Sequence, residues 1–330
     1  MTENYDLDQT VLDEIFAQDI LPSLFANARP ADQPIWILLG GQPGAGKTRA
    51  GNMAMESREM VKIIGDDLRQ FHPGFEELLR LDPDAMPRHT QQAMVAWLKM
   101  AESHAAENRF SALVEGTWRT PSVPAGAARR FAGLGYQVEA RVVAVSPQES
   151  RLSTLERFIR DKKKSDELQT TGHKPSGARF VALWVQLQAE IGLPESVKLL
   201  CAPNSKVGRM TVQTRDTILT DQTRRSLADH LSPMPGHLDA LRREHNRPMA
   251  DDEFADWVER ATLVDEYLQK FFPDDIECMK MSQQLDDDLI VLRQRRDDRS
   301  AGKARTERFM AKADEIITNA QSRDDRQAGD

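Results

Sequence analysis

Cysteine is nearly absent from this chain. Cys201 and Cys278 are the two among 330 residues, too few for a disulfide framework or a Cys-rich zinc site. Long apolar runs are missing as well. The longest, such as Ile35–Leu39, fall far short of the ~20 residues that span a bilayer. Residues 1–13 are polar and acidic, without the apolar core of a signal peptide, and the expectation is a soluble, cytoplasmic protein. An excess of basic charge is also lacking. Lys and Arg total 44 against 52 Asp and Glu, for a net charge of −8. That balance argues against a protein that coats nucleic acid and leaves room for one local basic pocket.

What is present is ample for folding: 40% apolar and 29% charged residues suit a chain with a sizeable core. At ~150 residues per domain, the length allows one large α/β domain with an appendage, or two domains. Short apolar stretches alternate with helical patterns. Strands are expected at Ile35–Leu39, Val61–Gly65, Ala112–Val114, Val138–Val145 and Val197–Cys201. Helices are expected over 9–27, broken near Pro22, and over 48–60, 88–107, 124–134, 147–164 and 178–191. This alternation predicts a mostly parallel sheet with helices on both faces. Strand signals fade beyond about residue 215, and 285–330 is dense in Arg and Asp. The expected division is a helical segment (1–30), an α/β domain (31–214) and a charged helical extension (215–330).

The strongest motif is Gly41-Gln42-Pro43-Gly44-Ala45-Gly46-Lys47-Thr48, a full match to the phosphate-loop pattern between a buried strand and a helix. Glycines let successive N–H groups turn inward on a phosphate, and the helix that follows adds the positive end of its dipole. Lys47 supplies a point charge for the outer phosphates and Thr48 a hydroxyl for Mg²⁺. The loop therefore implies a P-loop NTPase fold of the kinase-like kind that holds a nucleoside triphosphate, without naming the acceptor.

Asp66 and Asp67 close the second strand, and ligands of open parallel sheets sit outside the carboxyl ends of their strands. Three roles are open to this position: the base on an acceptor hydroxyl, a Mg²⁺ carboxylate, or a helix cap. Arg69 and His72-Pro73 follow; a lone His in such a loop is structural more often than catalytic. Glu115-Gly116-Thr117-Trp118-Arg119-Thr120 leaves the third strand on the same rim. Arg157, Arg160 and Lys164 share one face of the 147–164 helix, where a cationic face can neutralise charge developing on a phosphoryl group.

Gly40–Thr48, Gly65-Asp66-Asp67-Leu68-Arg69 with His72-Pro73, Glu115–Thr120 with Val123-Pro124, and Ser153–Phe158 together resemble the zeta toxin family. The resemblance covers about residues 10–200 and implies a bacterial kinase, the toxin half of a toxin–antitoxin pair, that phosphorylates UDP-N-acetylglucosamine on its sugar. It implies that Lys47 and Thr48 hold ATP and Mg²⁺ and that Asp66 is the base. It also implies that Glu115 and Thr117 contact the nucleotide-sugar and that Arg157 reaches the phosphates. Arg69 and Arg119 are further substrate candidates. In Gly172-His173-Lys174-Pro175, Lys174 or His173 stands where the family often has an arginine. The expected partners are a nucleotide-sugar and a small helical antitoxin protein, with no membrane. The alternatives are a kinase for another acceptor, a nucleotide or a nucleic-acid end, or a non-catalytic, nucleotide-gated interaction protein.

Overall fold

A computed structural model describes residues 5–56, 58–82, 85–168, 178–214, 218–222 and 235–298. It divides into two compact units, residues 1–246 and 247–330. The first is built on a six-stranded sheet of β1 (Ile35–Gly41), β2 (Val61–Ile64), β3 (Ala112–Gly116), β4 (Gln137–Val143), β5 (Arg209–Gln213) and β6 (Ile218–Gln222), in the order β2-β3-β1-β4-β5-β6. The first five strands run parallel and β6 lies antiparallel on β5. The register pairs Gly40 with Gly116 and Gly41 with Val143. The ends of β1, β3 and β4 thus stop level, on the rim where the phosphate loop begins.

The helices of this unit are α1 (Gln9–Ile15), α2 (Leu21–Phe25), α3 (Lys47–Met55), α4 (Phe75–Leu81), α5 (Met86–His89), α6 (Gln91–Glu107), α7 (Ser122–Gly133), α8 (Pro147–Leu168), α9 (Ala178–Cys201) and α10 (Pro235–Asn246). Pro22 does not break the first of them. A π-helical turn, Phe16–Ile20, joins α1 to α2, and the proline sits near the start of α2, where its missing N–H costs little.

Strand alternation sends Trp36, Leu38, Ala140, Val142, Met210 and Val212 to one face, into the larger core with Trp97, Phe131 and Leu193. Trp36 stacks on Phe131 with ring centroids 3.4 Å apart. Ile37, Leu39, Leu113 and Val143 take the other face, under Ala50 and Ala54 of α3.

Two expectations are corrected here. Val197–Cys201 is not a strand but the last turns of α9. Leu193, Val197, Leu200 and Cys201 recur at helical spacing and all enter the larger core, so packing carries the helix through Gly192 and Pro194. The fifth strand is Arg209–Gln213 instead, and β6 was not anticipated. The helix expected over 48–60 also ends early, at Met55, and leaves Arg58 free to meet Glu139 Oε1 at 3.0 Å.

The second unit is a pair of antiparallel helices, α11 (Asp251–Phe271) and α12 (276–298). Arg296 Nε meets Asp251 Oδ1 at 3.0 Å and fixes the open end of the pair. Leu285 and Leu292 are buried, so the charged stretch from 285 begins inside a packed helix. Among the described residues no helix is long and apolar enough to cross a membrane.

Candidate active site

The phosphate loop leaves β1 at Gly41 and enters α3 at Lys47. Gly44 and Gly46 take φ values of 71° and 84°, the left-handed region that a side chain disfavours. Gly44 has a second reason to lack a side chain: a Cβ there would stand 2.7 Å from Ser150 O and 3.0 Å from Ser153 Cβ. The first turns of α8 are therefore built against the loop. Ser150 Oγ donates to Pro43 O at 2.6 Å and seals the contact. Ala45 is buried, as is Gln42. Thr48 is exposed in the first turn of α3.

Lys47 Nζ donates to Gly41 O and Gln42 O at 3.1 and 3.0 Å and lies 4.0 Å from Glu115 Oε1. Burial pulls its ammonium down to about 8. Glu115 opposes that shift, Arg157 adds to it, and Asp66 opposes it. Four residues from four separate segments are thus close enough for one charge to register the others. Glu115 Oε2 is buried and has no hydrogen-bond partner, an acceptor left open at the end of β3.

Asp66 lies in a 3₁₀ turn, Gly65–Phe71, directly after β2. Its side chain is 82% exposed, while that of Arg69 is only 10% exposed. Arg69, expected to reach substrate, has turned inward onto its own chain. Its Nε donates to Asp66 Oδ1 at 3.0 Å, and its other nitrogens donate to Pro87 O, Thr90 Oγ1 and Gln91 Oε1 at 2.6, 2.9 and 2.8 Å. His72 is structural: its Nδ1 accepts from Gly74 N at 3.0 Å, so Nε2 carries the proton and donates to Tyr5 O at 2.9 Å.

Thr117 is half-buried and Arg119 exposed in the loop after β3. Two features that sequence reasoning missed fix this loop. Trp118 is buried with φ 54° and lies over Gly40, where any Cβ would collide with the indole. A Cβ at Gly192 of α9 would collide with the Arg119 backbone, and Ser196 Oγ donates to Trp118 O at 2.7 Å. The glycine pair at 40–41 and a glycine inside a helix were the available signals. Arg157 is exposed on α8, whose Leu152, Leu155 and Ile159 are buried as its apolar stripe requires. Lys174 lies outside the described residues.

A parallel sheet with this loop at the end of β1, and carboxylates at the ends of β2 and β3, defines a P-loop phosphotransferase fold of the kinase-like type. The zeta toxin family model matches residues 23–223, and the chain belongs to that family. Among its relatives, toxin zeta of Enterococcus hirae is 29% identical over 167 residues, 50% of this chain and 58% of that protein. Toxin PezT of Streptococcus pneumoniae is 34% identical over 140 residues, 42% of this chain and 55% of that protein. The chain spans about half the length of the curated relatives it matches. A solved structure from the PezAT chromosomal toxin–antitoxin system of S. pneumoniae shares the fold, with a TM-score of 0.61 and 23% identity over 83% of this chain and all of that one.

Proposed function

We infer that this protein is an ATP-dependent phosphotransferase that places the γ-phosphoryl group of ATP on a sugar hydroxyl of a nucleotide-sugar such as UDP-N-acetylglucosamine. One observation carries the reading: Lys47 Nζ of the phosphate loop lies 4.0 Å from Glu115 Oε1 at the end of β3, on the strand-end rim where an acceptor and a polyphosphate would meet. The residues fit the groups the reaction needs. The left-handed glycines curl the loop into an anion cradle. Thr48 Oγ and the open Glu115 Oε2 would hold Mg²⁺, directly and through water. That ion would neutralise charge on the transferring phosphoryl group.

Lys47 and the loop amides orient the phosphates, and Arg157 approaches from α8. Asp66, exposed yet held by Arg69, accepts the proton of the attacking hydroxyl. Thr117 and Arg119, on the loop pinned by α9, contact the nucleotide-sugar, with Lys174 as a further contact. Arg69 acts through Asp66, as a positioning residue. A small helical antitoxin is the proposed partner and the cytoplasm the proposed location. The PezAT neighbour, from a toxin–antitoxin system, supports a paired toxin.

The test is mass spectrometry of a bacterial small-molecule extract incubated with ATP and the protein. A new phosphorylated nucleotide-sugar is expected with the wild type and not with Lys47→Ala. A product of another class would move the reading to another acceptor.

A further inference from the structure

The α11–α12 hairpin lies outside the stretch matched by the family, which ends at residue 223. Its interior is ordinary. Trp257, Ala261, Val264 and Leu268 of α11 and Cys278, Met281, Leu285 and Leu292 of α12 are buried. Its closed end is not. There Leu268, Phe272, Cys278 and Met279 line an open cavity of about 260 Å³. Phe271, Ile276 and Met279, all within nine residues of chain, remain 54, 68 and 60% exposed. Single exposed apolar side chains are common on protein surfaces, but a group gathered at the mouth of an apolar cavity marks a binding surface.

The charge around it is one-sided. Residues 247–298 carry fifteen carboxylates and seven basic side chains, a net −8, equal to the formal charge of the whole chain. From 265 to 280 there are five carboxylates against two lysines; Lys280 Nζ pairs with Glu277 Oε1 at 2.8 Å, and Lys270 Nζ lies 5.3 Å from the Phe271 ring centre. Asp275 is held in place: its Oδ1 accepts from Glu277 N and Cys278 N at 3.0 Å each and caps α12. We propose that the closed end of this hairpin is a docking surface for a basic amphipathic protein segment, one apolar side chain entering the cavity and flanking Lys or Arg meeting the carboxylates. The sign of the charge decides the occupant. A nucleic acid would be repelled, and so would a second hairpin with the same −8. Met279 and the Phe271 ring suit an incoming apolar group, and a partner cation can take the place of Lys270 over that ring.

The test uses the full-length protein and a short fluorescent Leu/Lys amphipathic helical peptide, followed by anisotropy. Controls are a Lys/Ser peptide of equal charge and a Leu/Glu peptide of the same pattern. The Leu/Lys peptide is expected to bind, and the two controls at least about tenfold more weakly. Phe271→Ser with Met279→Ser is expected to cost about tenfold, because hot-spot apolar groups dominate such contacts. Asp274→Asn with Glu277→Gln, which spares the capping Asp275, is expected to weaken binding and flatten its salt dependence. All these positions are exposed or at the turn, so circular dichroism should report an unchanged fold. Equal binding of the Lys/Ser peptide, or an affinity indifferent to the Phe271/Met279 pair, overturns the proposal. So does a wild-type dimer in sedimentation that the pair dissociates, which would make the occupant a second copy. None of these readouts depends on phosphoryl transfer.

Discussion

Asp66 and Asp67 are neighbours with different surroundings. Asp66 is oriented by Arg69, which is anchored at three further points on α5 and α6 and on the residue between them. Among the described residues no comparable guanidinium holds Asp67, whose carboxyl is pushed upward by burial, pulled down by Lys62 and pushed upward by Asp66. Asp66→Asn should lose ~10²–10⁴-fold in turnover while binding ATP normally, whereas Asp67→Asn should cost little; turnover and nucleotide titration of both variants check this. Arg69→Ala should reduce kcat by up to ~10²-fold through misplacement of Asp66, with ATP affinity kept. Recovery in Arg69→Lys would place the effect in orientation rather than folding. Lys47 gives a pH prediction. Free Lys47 sits at about 8, and a bound polyphosphate raises it, so nucleotide binding just above pH 8 takes up a proton. Affinity should fall as pH rises past that value. Calorimetry in buffers of different ionisation enthalpy measures the uptake, which Lys47→Ala should abolish. The sequence offers these residues as candidates: the phosphate-loop spacing names Lys47, and the strand ends bring Asp66 and Glu115 to the same rim. The inward turn of Arg69 was not legible, because nothing in the local sequence announces its acceptors at 87–91.

At the level of elements, α9 does more than cover the sheet. Its Gly192 admits the Arg119 backbone and its Ser196 holds Trp118 O. Gly192→Ala should displace the 117–120 loop, raising KM for the acceptor several-fold with little change in ATP affinity. Steady-state kinetics with each substrate varied in turn distinguish this from a general loss of stability, and equal effects on both substrates would count against it. The same helix explains a misreading. Gly192 and Pro194 look like breakers beside Val197–Cys201, which is short and apolar like a buried strand. Helical spacing of Leu193, Val197 and Leu200 in the core decides the matter. The true β5 reads Arg-Met-Thr-Val-Gln, alternating rather than uniformly apolar. Met210 and Val212 enter the larger core, while Thr211 and Gln213 are buried on the other face. Period-two alternation was present, but a search for fully apolar runs passes over it.

For the whole molecule, although the expected fading of strand signals at about residue 215 falls before β6, the charge of the C-terminal stretch was legible. The place of the boundary was not. The compact units divide between Asn246 and Arg247, and Leu285 lies inside α12. Truncation after Asn246 should leave a soluble protein that binds nucleotide as the full chain does. Truncation before Leu285 should aggregate, because Trp257, Val264 and Leu268 lose part of their cover. Size-exclusion chromatography and nucleotide titration of both forms check the pair. The proposed function rests on Asp66 as the base for direct phosphoryl transfer from ATP to the acceptor hydroxyl. Its most direct test is transfer of label from [γ-³²P]ATP to purified UDP-N-acetylglucosamine by the wild type, Asp66→Asn and Asp67→Asn. Labelled sugar nucleotide from the wild type and Asp67→Asn, with none from Asp66→Asn despite normal ATP binding, is the predicted result. Undiminished transfer by Asp66→Asn would contradict it.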